Sequence, residues 1–212
     1  MRFDILTIFP EMFEPLRQSI IGRGVKAGHI EINYVNFREY TTNKHRRVDD
    51  SPFGGGAGLV LTAQPIVDCI EAIDPKHEAH RIFMTPAAPV FTQKRAVELS
   101  KKSRIIILCG HYEGVDQRAI DICMDEVLSI GNFVLTGGEL PAMCVVDAVA
   151  RQVPGVLKAE SLDNESFTHG DDYHEAPQYT RPRSFRGKDV PEILLSGNHK
   201  NIKTWQRRDE KK

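Results

Sequence analysis

The chain is poor in the features that would classify it at a glance. Its four cysteines, Cys69, Cys109, Cys123 and Cys144, lie far apart with no C-x-x-C pair. That spacing excludes a disulfide framework and a zinc site. Each sits in or beside an apolar run such as IIILCG, so all four are expected to be buried thiols in a reducing compartment. No run approaches the roughly 20 apolar residues needed to cross a bilayer. The opening MRFDILTIFP moves into a strand-like run carrying Asp4, without the apolar core and cleavage site of a secretory leader. The expectation is a soluble, cytoplasmic protein with no membrane partner. Charge imbalance is missing too: 28 Lys and Arg face 29 Asp and Glu, a net of -1. No global field therefore draws nucleic acid, and such a partner has to be held by local charge. There is no internal repeat and no low-complexity tract.

Two nucleotide-binding signatures are also lacking. FGGGAGL, residues 53–59, is glycine-rich, but no G-K-S/T follows it to cradle a phosphate. After the first predicted strand comes PEMFEPL instead of the G-x-G-x-x-G that brings a helix terminus onto a pyrophosphate. Taken alone, FGGGAGL reads as a flexible turn.

What the sequence does have is alternation. Short apolar runs predicted as buried strands (FDILTIF, INYVNF, RIFMT, RIIILCG, EVLSIG and FVL) are separated by segments of helical period. Those segments are EMFEPLRQSIIGRGV, AQPIVDCIEAI, TQKRAVELSKK, GVDQRAIDICM and GGELPAMCVVDAVARQV. The pattern predicts an α/β layer with a largely parallel sheet and helices on both faces. Residues 38–58, polar and then glycine-rich, are expected to form a long, mobile loop. Residues 154–183 read as a linker or active-site loop. Beyond them the charge reverses: residues 181–212 hold ten Lys or Arg against four acids, whereas 151–180 hold two against six. Ser196 or Asn198 is expected to cap a last basic helix.

Three strand ends share one character. FMTPAAP (83–89), LCGHYEGVD (108–116) and SIGNFVLTGGELP (129–141) each place Gly, Pro or small residues where a buried strand finishes. In open parallel sheets ligands collect outside those carboxyl ends. The three loops are expected to form one pocket whose main-chain groups read a purine edge, with Ile130, Phe133 and Leu135 as apolar walls. Adjacent glycines at 137 and 138 cost backbone entropy and supply no packing, so the bare main chain there must serve either a tight turn or a ligand.

GGGAGLVLTAQPI, LCGHYEGVDQR, SIGNFVLTGGELPAMCVVDAVARQVPGVL, QYTRP and LLSGNHKNI together resemble the TrmD family, the bacterial tRNA (guanine-N1)-methyltransferases of the SPOUT class. The resemblance runs from the first strand to about the last helix, and the 129–157 block is its most specific part. It implies a SPOUT-type parallel sheet with a deep trefoil knot and a small, mainly helical C-terminal domain. It implies a homodimer with the active site at the subunit interface, S-adenosyl-L-methionine as methyl donor, and tRNA as substrate. The division it suggests is a donor-binding domain over 1–157, an active-site loop over 158–180 and a basic tRNA-binding region over 181–212.

By the same resemblance the donor pocket is lined by Met84, Thr85, Pro86, Gly110, Ile130, Gly131, Asn132, Phe133, Val134, Leu135, Gly137 and Gly138, with Glu113 approaching the sulfonium or the methionyl amine. A side chain at either paired glycine is expected to enter the donor's space.

Methylating guanine at N1 removes a proton and builds negative charge on O6, so a base and an O6 stabiliser are the minimum equipment. The family pattern places an arginine where Arg151 stands and assigns it to O6. From the residues alone, Arg151 also sits four positions after Asp147, the spacing of a helical ion pair. The family base is an Asp before S-F; here Glu165 occupies that place, with Asp163 as the alternative. Glu175 aligns with the acid ahead of the next family proline.

By the same resemblance, Asp49 and Asp50 are expected to read guanine edges as acceptors. Phosphate-binding candidates are Lys44, Arg46 and Arg47, then Arg181, Arg183, Arg186, Lys188, Lys200, Lys203, Arg207 and Arg208. No metal-ligand motif is present, and Mg2+ is left open as an assisting ion. Two other readings stay in view: a SPOUT enzyme acting on ribose 2′-OH or ribosomal RNA, and a non-catalytic RNA-binding module.

Overall fold

The computed structural model describes residues 1–206. In chain order the strands are β1 (Arg2–Leu6), β2 (Glu31–Val35), β3 (Asp49–Asp50), β4 (Val60–Leu61), β5 (His80–Met84), β6 (Arg104–Cys109), β7 (Glu126–Leu128), β8 (Ser184–Phe185) and β9 (Lys188–Asp189). The α-helices are α1 (Ser19–Lys26), α2 (Ala63–Ile73), α3 (Gln93–Leu99), α4 (Gln117–Cys123), α5 (Glu139–Ala150), α6 (Glu192–Leu195) and α7 (His199–Gln206). The chain divides into two compact units, 1–157 and 158–212.

In the first unit, five strands form a parallel sheet in the order β2-β1-β6-β5-β7. Period-two alternation sends Phe3, Ile5, Ile82, Ile105 and Ile107 to one face, where they pack with α1, α3 and α5. Leu6, Phe83, Ile106 and Leu108 go to the other, against Ile66 and Ile70 of α2 and Ala119 of α4. Both faces are covered, and each fully buried Ile or Leu stabilises by about 1.5 to 3 kcal/mol. The helices have local reasons to start where they do. Pro65 falls in the first turn of α2, where no amide is needed. The Thr92 hydroxyl accepts from Arg95 N–H at the head of α3, and Asp116 from Arg118 N–H at the head of α4.

Linked polar side chains interrupt the apolar layers. Asp4, buried at the amino end of the sheet, accepts from Arg104 Nε at 2.7 Å. Arg104 also reaches the carbonyl of Ile73, and Arg81 Nε donates to buried Asp74 at 2.9 Å. Burial, the largest single influence, resists ionisation of Asp74. The amides of Glu78 and Ala79 and the Arg81 guanidinium outweigh it and hold the carboxyl below the usual aspartate range.

Four expectations need correction. The single helix expected over 11–25 is a 3-10 helix, Pro10–Arg17, followed by α1, with Gln18 extended between them. Pro15 has no amide and its ring crowds the carbonyl four residues back, so an α-helix cannot run through. FVL (133–135) is not a strand: it is irregular and exposed, Val134 at 81%. The polar loop 38–58 carries structure: it begins in a 3-10 helix, Phe37–Tyr40, and β3 pairs antiparallel with β4. Phe37 and Val48 are buried, and Thr62 N–H donates to Val48 C=O. Finally, Cys144 is exposed while the other three cysteines are buried. It lies on the outward side of α5 with Leu140 and Asp147, a helix so uniformly apolar that its buried side could not be read from the pattern.

The second unit, described by itself, opens with a short 3-10 helix, Ala159–Ser161, and a compact turn in which Phe167 N–H donates to Tyr173 C=O. The β8–β9 ribbon and α6 and α7 follow. Asn198 Oδ1 accepts from Asn201 N–H at the head of α7, and Ser196 Oγ accepts from Asn198 N–H. Arg207 and Arg208 lie outside the described residues.

Candidate functional site

The carboxyl ends of β5, β6 and β7, three neighbouring strands, open into one cavity of about 210 Å3. The three loops expected to converge do so. Met84, Thr85 and Pro86 come from the first, Gly110 and Glu113 from the second, and Ile130, Gly131, Phe133, Val134, Leu135, Gly137 and Gly138 from the third. Asn132 is exposed and does not line it. His111, Tyr112, Thr136 and Pro141 line it as well. Sequence reasoning passed over these four, although each lies inside a loop already singled out. No Lys or Arg is among the lining residues, so its charged groups are Glu113 and, when protonated, His111.

The paired glycines acquire a physical reason that differs from the expected one. A Cβ on Gly138 would meet Cys109 Cα and Gly110 N, both at 2.8 Å. Its amide donates to Gly110 C=O at 2.8 Å, and His111 bridges to Gly137. Gly138 is bare so that the start of α5 can lie directly on the end of β6. A Cβ on Gly137 would run into the Glu139 carboxylate and, at 2.7 Å, His111 Cδ2. The space beside both glycines is thus filled by the chain's own atoms. In the loop that follows β7, the amides of Ile130 and Leu135 have no acceptor among the described residues, and both residues line the cavity.

Behind that floor lies Glu139, only 1% exposed. Thr7 Oγ1 donates to its Oε1 at 2.9 Å, and His111 Nε2 stands 4.0 Å from Oε2. The His111 ring is tilted against Phe9 with centroids 4.9 Å apart. The Cys109 thiol nearby is pushed well above its usual value, by burial first and by the Glu139 charge second.

The glycine-rich segment is joined to the pocket's rim. Glu113 N–H donates to Leu59 C=O, Leu61 N–H to Gly114 C=O, and Asp116 N–H to Leu61 C=O. Asp49 and Asp50 ride on the same ribbon, opposite Leu61 and Val60. Arg151 ends α5, its amide donating to Asp147 C=O at 3.1 Å.

In the second unit, Glu165 is half-buried and its carbonyl accepts from Thr168 N–H, while Asp163 is exposed. Glu175 borders a separate polar cleft of about 320 Å3 with Lys203. Arg181 and Arg183 are exposed, and Arg183 pairs with Glu192. Among the described residues no three His, Cys, Asp or Glu side chains cluster as metal ligands, and no helix is long and apolar enough to cross a membrane.

A parallel sheet covered on both faces, with a glycine-floored pocket outside its carboxyl ends, defines an α/β protein built to hold a small ligand there. Comparison with known families makes this specific. The family model for tRNA (Guanine-1)-methyltransferase TrmD matches residues 1–212, and the chain belongs to that family. Proteins named tRNA (guanine-N(1)-)-methyltransferase are similar throughout. One from Carboxydothermus hydrogenoformans is 52% identical over 210 residues, covering 98% of this chain and 82% of the relative. One from Clostridium botulinum is 51% identical, covering 98% and 85%, and one from Clostridium perfringens is 50% identical, covering 99% and 88%.

Proposed function

We propose that this chain transfers a methyl group to N1 of the guanosine immediately 3′ of a tRNA anticodon, position 37, with S-adenosyl-L-methionine as donor. The observation that carries the reading is the cavity itself. Its walls are apolar and its open amides suit a purine edge. Among the described lining residues Glu113 alone carries a carboxylate, which suits a cationic ligand, and none is Lys or Arg. These features fit the donor. Gly110, Ile130, Leu135 and the bare floor would hold the nucleoside, and Glu113 the positively charged end.

When bound, the donor supplies an electrophilic methyl group on a sulfonium. The chain's own residues do the rest. Glu165 accepts the N1 proton as carbon–nitrogen bond formation proceeds. The Arg151 guanidinium meets the charge that collects on O6, held in place by the last turn of α5. Asp49 and Asp50 orient the guanine as acceptors. Arg181 and Arg183, with the cations of α7 and the 44–47 segment, hold phosphates. In this reading residues 1–157 form the donor domain, 158–180 the active-site loop and 181–212 the tRNA-binding region.

The knot and the dimer belong to the same proposal. After β7 the chain runs back past β5 to rest on the end of β6, and α5 then packs against β6, α3 and the first 3-10 helix, a return path suited to threading. Leu140, at 48% on α5, and Val134 at the pocket are exposed apolar side chains of the kind a second copy would cover.

The test is methyl transfer from labelled donor to a tRNA transcript, with the nucleoside identified by mass spectrometry. N1-methylguanosine is expected, lost when the guanosine is replaced by adenosine. Equal labelling of both transcripts, or a 2′-O-methyl product, overturns the assignment.

A further inference from the structure

A carboxylate buried directly beneath the floor of a small-molecule pocket needs a reason, because removing a charge from water is costly unless something repays it. Glu139 has three partial compensations. It stands in the first turn of the twelve-residue α5, where the helix dipole favours an anion. Thr7 Oγ1 donates to Oε1 at 2.9 Å, and that hydroxyl is itself fixed by accepting from Phe9 N–H at 2.9 Å. His111 Nε2 lies 4.0 Å from Oε2, too far for a hydrogen bond, and Oε2 accepts no hydrogen bond from a described residue. One oxygen is therefore anchored, while the other is turned toward Gly137, where a Cβ would collide with it. Gly137 itself lines the cavity, so that oxygen lies against a lining residue. On the rim the only carboxylate is Glu113, and no lysine or arginine lines the pocket.

We infer that Glu139 is a charge-selecting positioning residue: through the bare Gly137 floor its carboxylate favours a cationic sulfonium ligand over the neutral thioether left after methyl transfer. The inference rests on the donor-site reading above and deepens it. Donor and product share the adenosine and amino-acid ends, so apolar walls and open amides bind both alike. They differ by one positive charge at sulfur, and a fixed negative charge in a water-poor setting senses that difference. The raised Cys109 thiol is in keeping, since the Glu139 charge contributes to it.

The experiment is calorimetric titration of the full chain with S-adenosylmethionine and, separately, S-adenosylhomocysteine, for wild type and Glu139→Gln. Glutamine keeps an oxygen for Thr7 and the side-chain size, removes the charge and replaces the second oxygen by an amide NH2. The expected result is that the ratio of donor to product affinity falls about tenfold, with product affinity changing less than about twofold. Equal weakening of both ligands, or no change in either, overturns the inference, because a residue that merely braces the pocket moves both together. If Glu139→Gln does not fold, Thr7→Val decides. It frees the carboxylate from its anchor, and the ratio is expected to shift by about threefold; an unchanged ratio again overturns it. Wild type binding neither ligand would instead refute the donor site itself.

Discussion

Gly138 N–H donates to Gly110 C=O at 2.8 Å, fastening the start of α5 to the first residue after β6. With the backbones this close, Gly138→Ala forces main chain apart, since its Cβ would meet Cys109 Cα and Gly110 N. The expected loss is about 1 to 3 kcal/mol of stability, the usual cost of overpacking, read as a lowered denaturation midpoint. Gly137→Ala presses on the side chains of Glu139 and His111 instead. It is expected to unfold nearer to wild type and to bind the donor more weakly in the same calorimeter.

The buried Arg81–Asp74 pair sits at the opposite end of the sheet from the cavity. Arg81→Met removes the closer of two cations from Asp74, leaving Arg104 and the amides of Glu78 and Ala79, and is expected to cost up to about 3 kcal/mol, measured by urea unfolding at neutral pH. Because the folded state holds Asp74 below the ordinary aspartate value of about 3.9, its stabilisation is complete above that value. It is lost as pH falls through the depressed folded value. Glu126, resisted by burial but outweighed by Arg95 and His80, is depressed likewise and acts in the same direction. Acid unfolding below about pH 4 is the expectation, and Asp74→Asn should flatten the slope of stability against pH there.

Glu165→Gln is expected to lower turnover by about a hundredfold to ten-thousandfold, the range for a positioned base, while leaving donor affinity unchanged. Single-turnover methyl transfer reads the first and calorimetry the second. If Asp163→Asn alone abolishes the reaction, the base is Asp163.

Arg181 is exposed and has no ion-pair partner among the described residues, whereas Arg183 is tied to Glu192. Arg181→Ala is expected to weaken tRNA binding and to reduce the salt dependence by about one phosphate contact. Filter binding across a salt series measures both. An unchanged slope removes Arg181 from the interface.

Much of this architecture was legible from the residues. The buried strands read clearly because both faces of the sheet are covered, which makes them near-continuous apolar runs, and the cavity followed from where those runs stop. FVL deceived for the same reason: three apolar residues in a row look like a strand, yet here they lie over a pocket mouth. The Pro15 break lay in the sequence, but an amphipathic period continuing on either side concealed it. Glu139 could not be singled out at all. In LTGGELPA it looks like an ordinary solvated acid at a helix start, and only Thr7, 132 residues away, shows that it is buried. The purpose of Gly138 was equally hidden, since the atoms that exclude its side chain belong to Cys109 and Gly110.

The ladder from Leu59 and Leu61 to Glu113, Gly114 and Asp116 makes the ribbon carrying Asp49 and Asp50 mechanically continuous with the rim of the cavity. At its foot the Glu113 side chain occupies the space that a Cβ on Gly58 would need. A restraint placed on either end of this strap is passed to the other through main-chain hydrogen bonds that already exist.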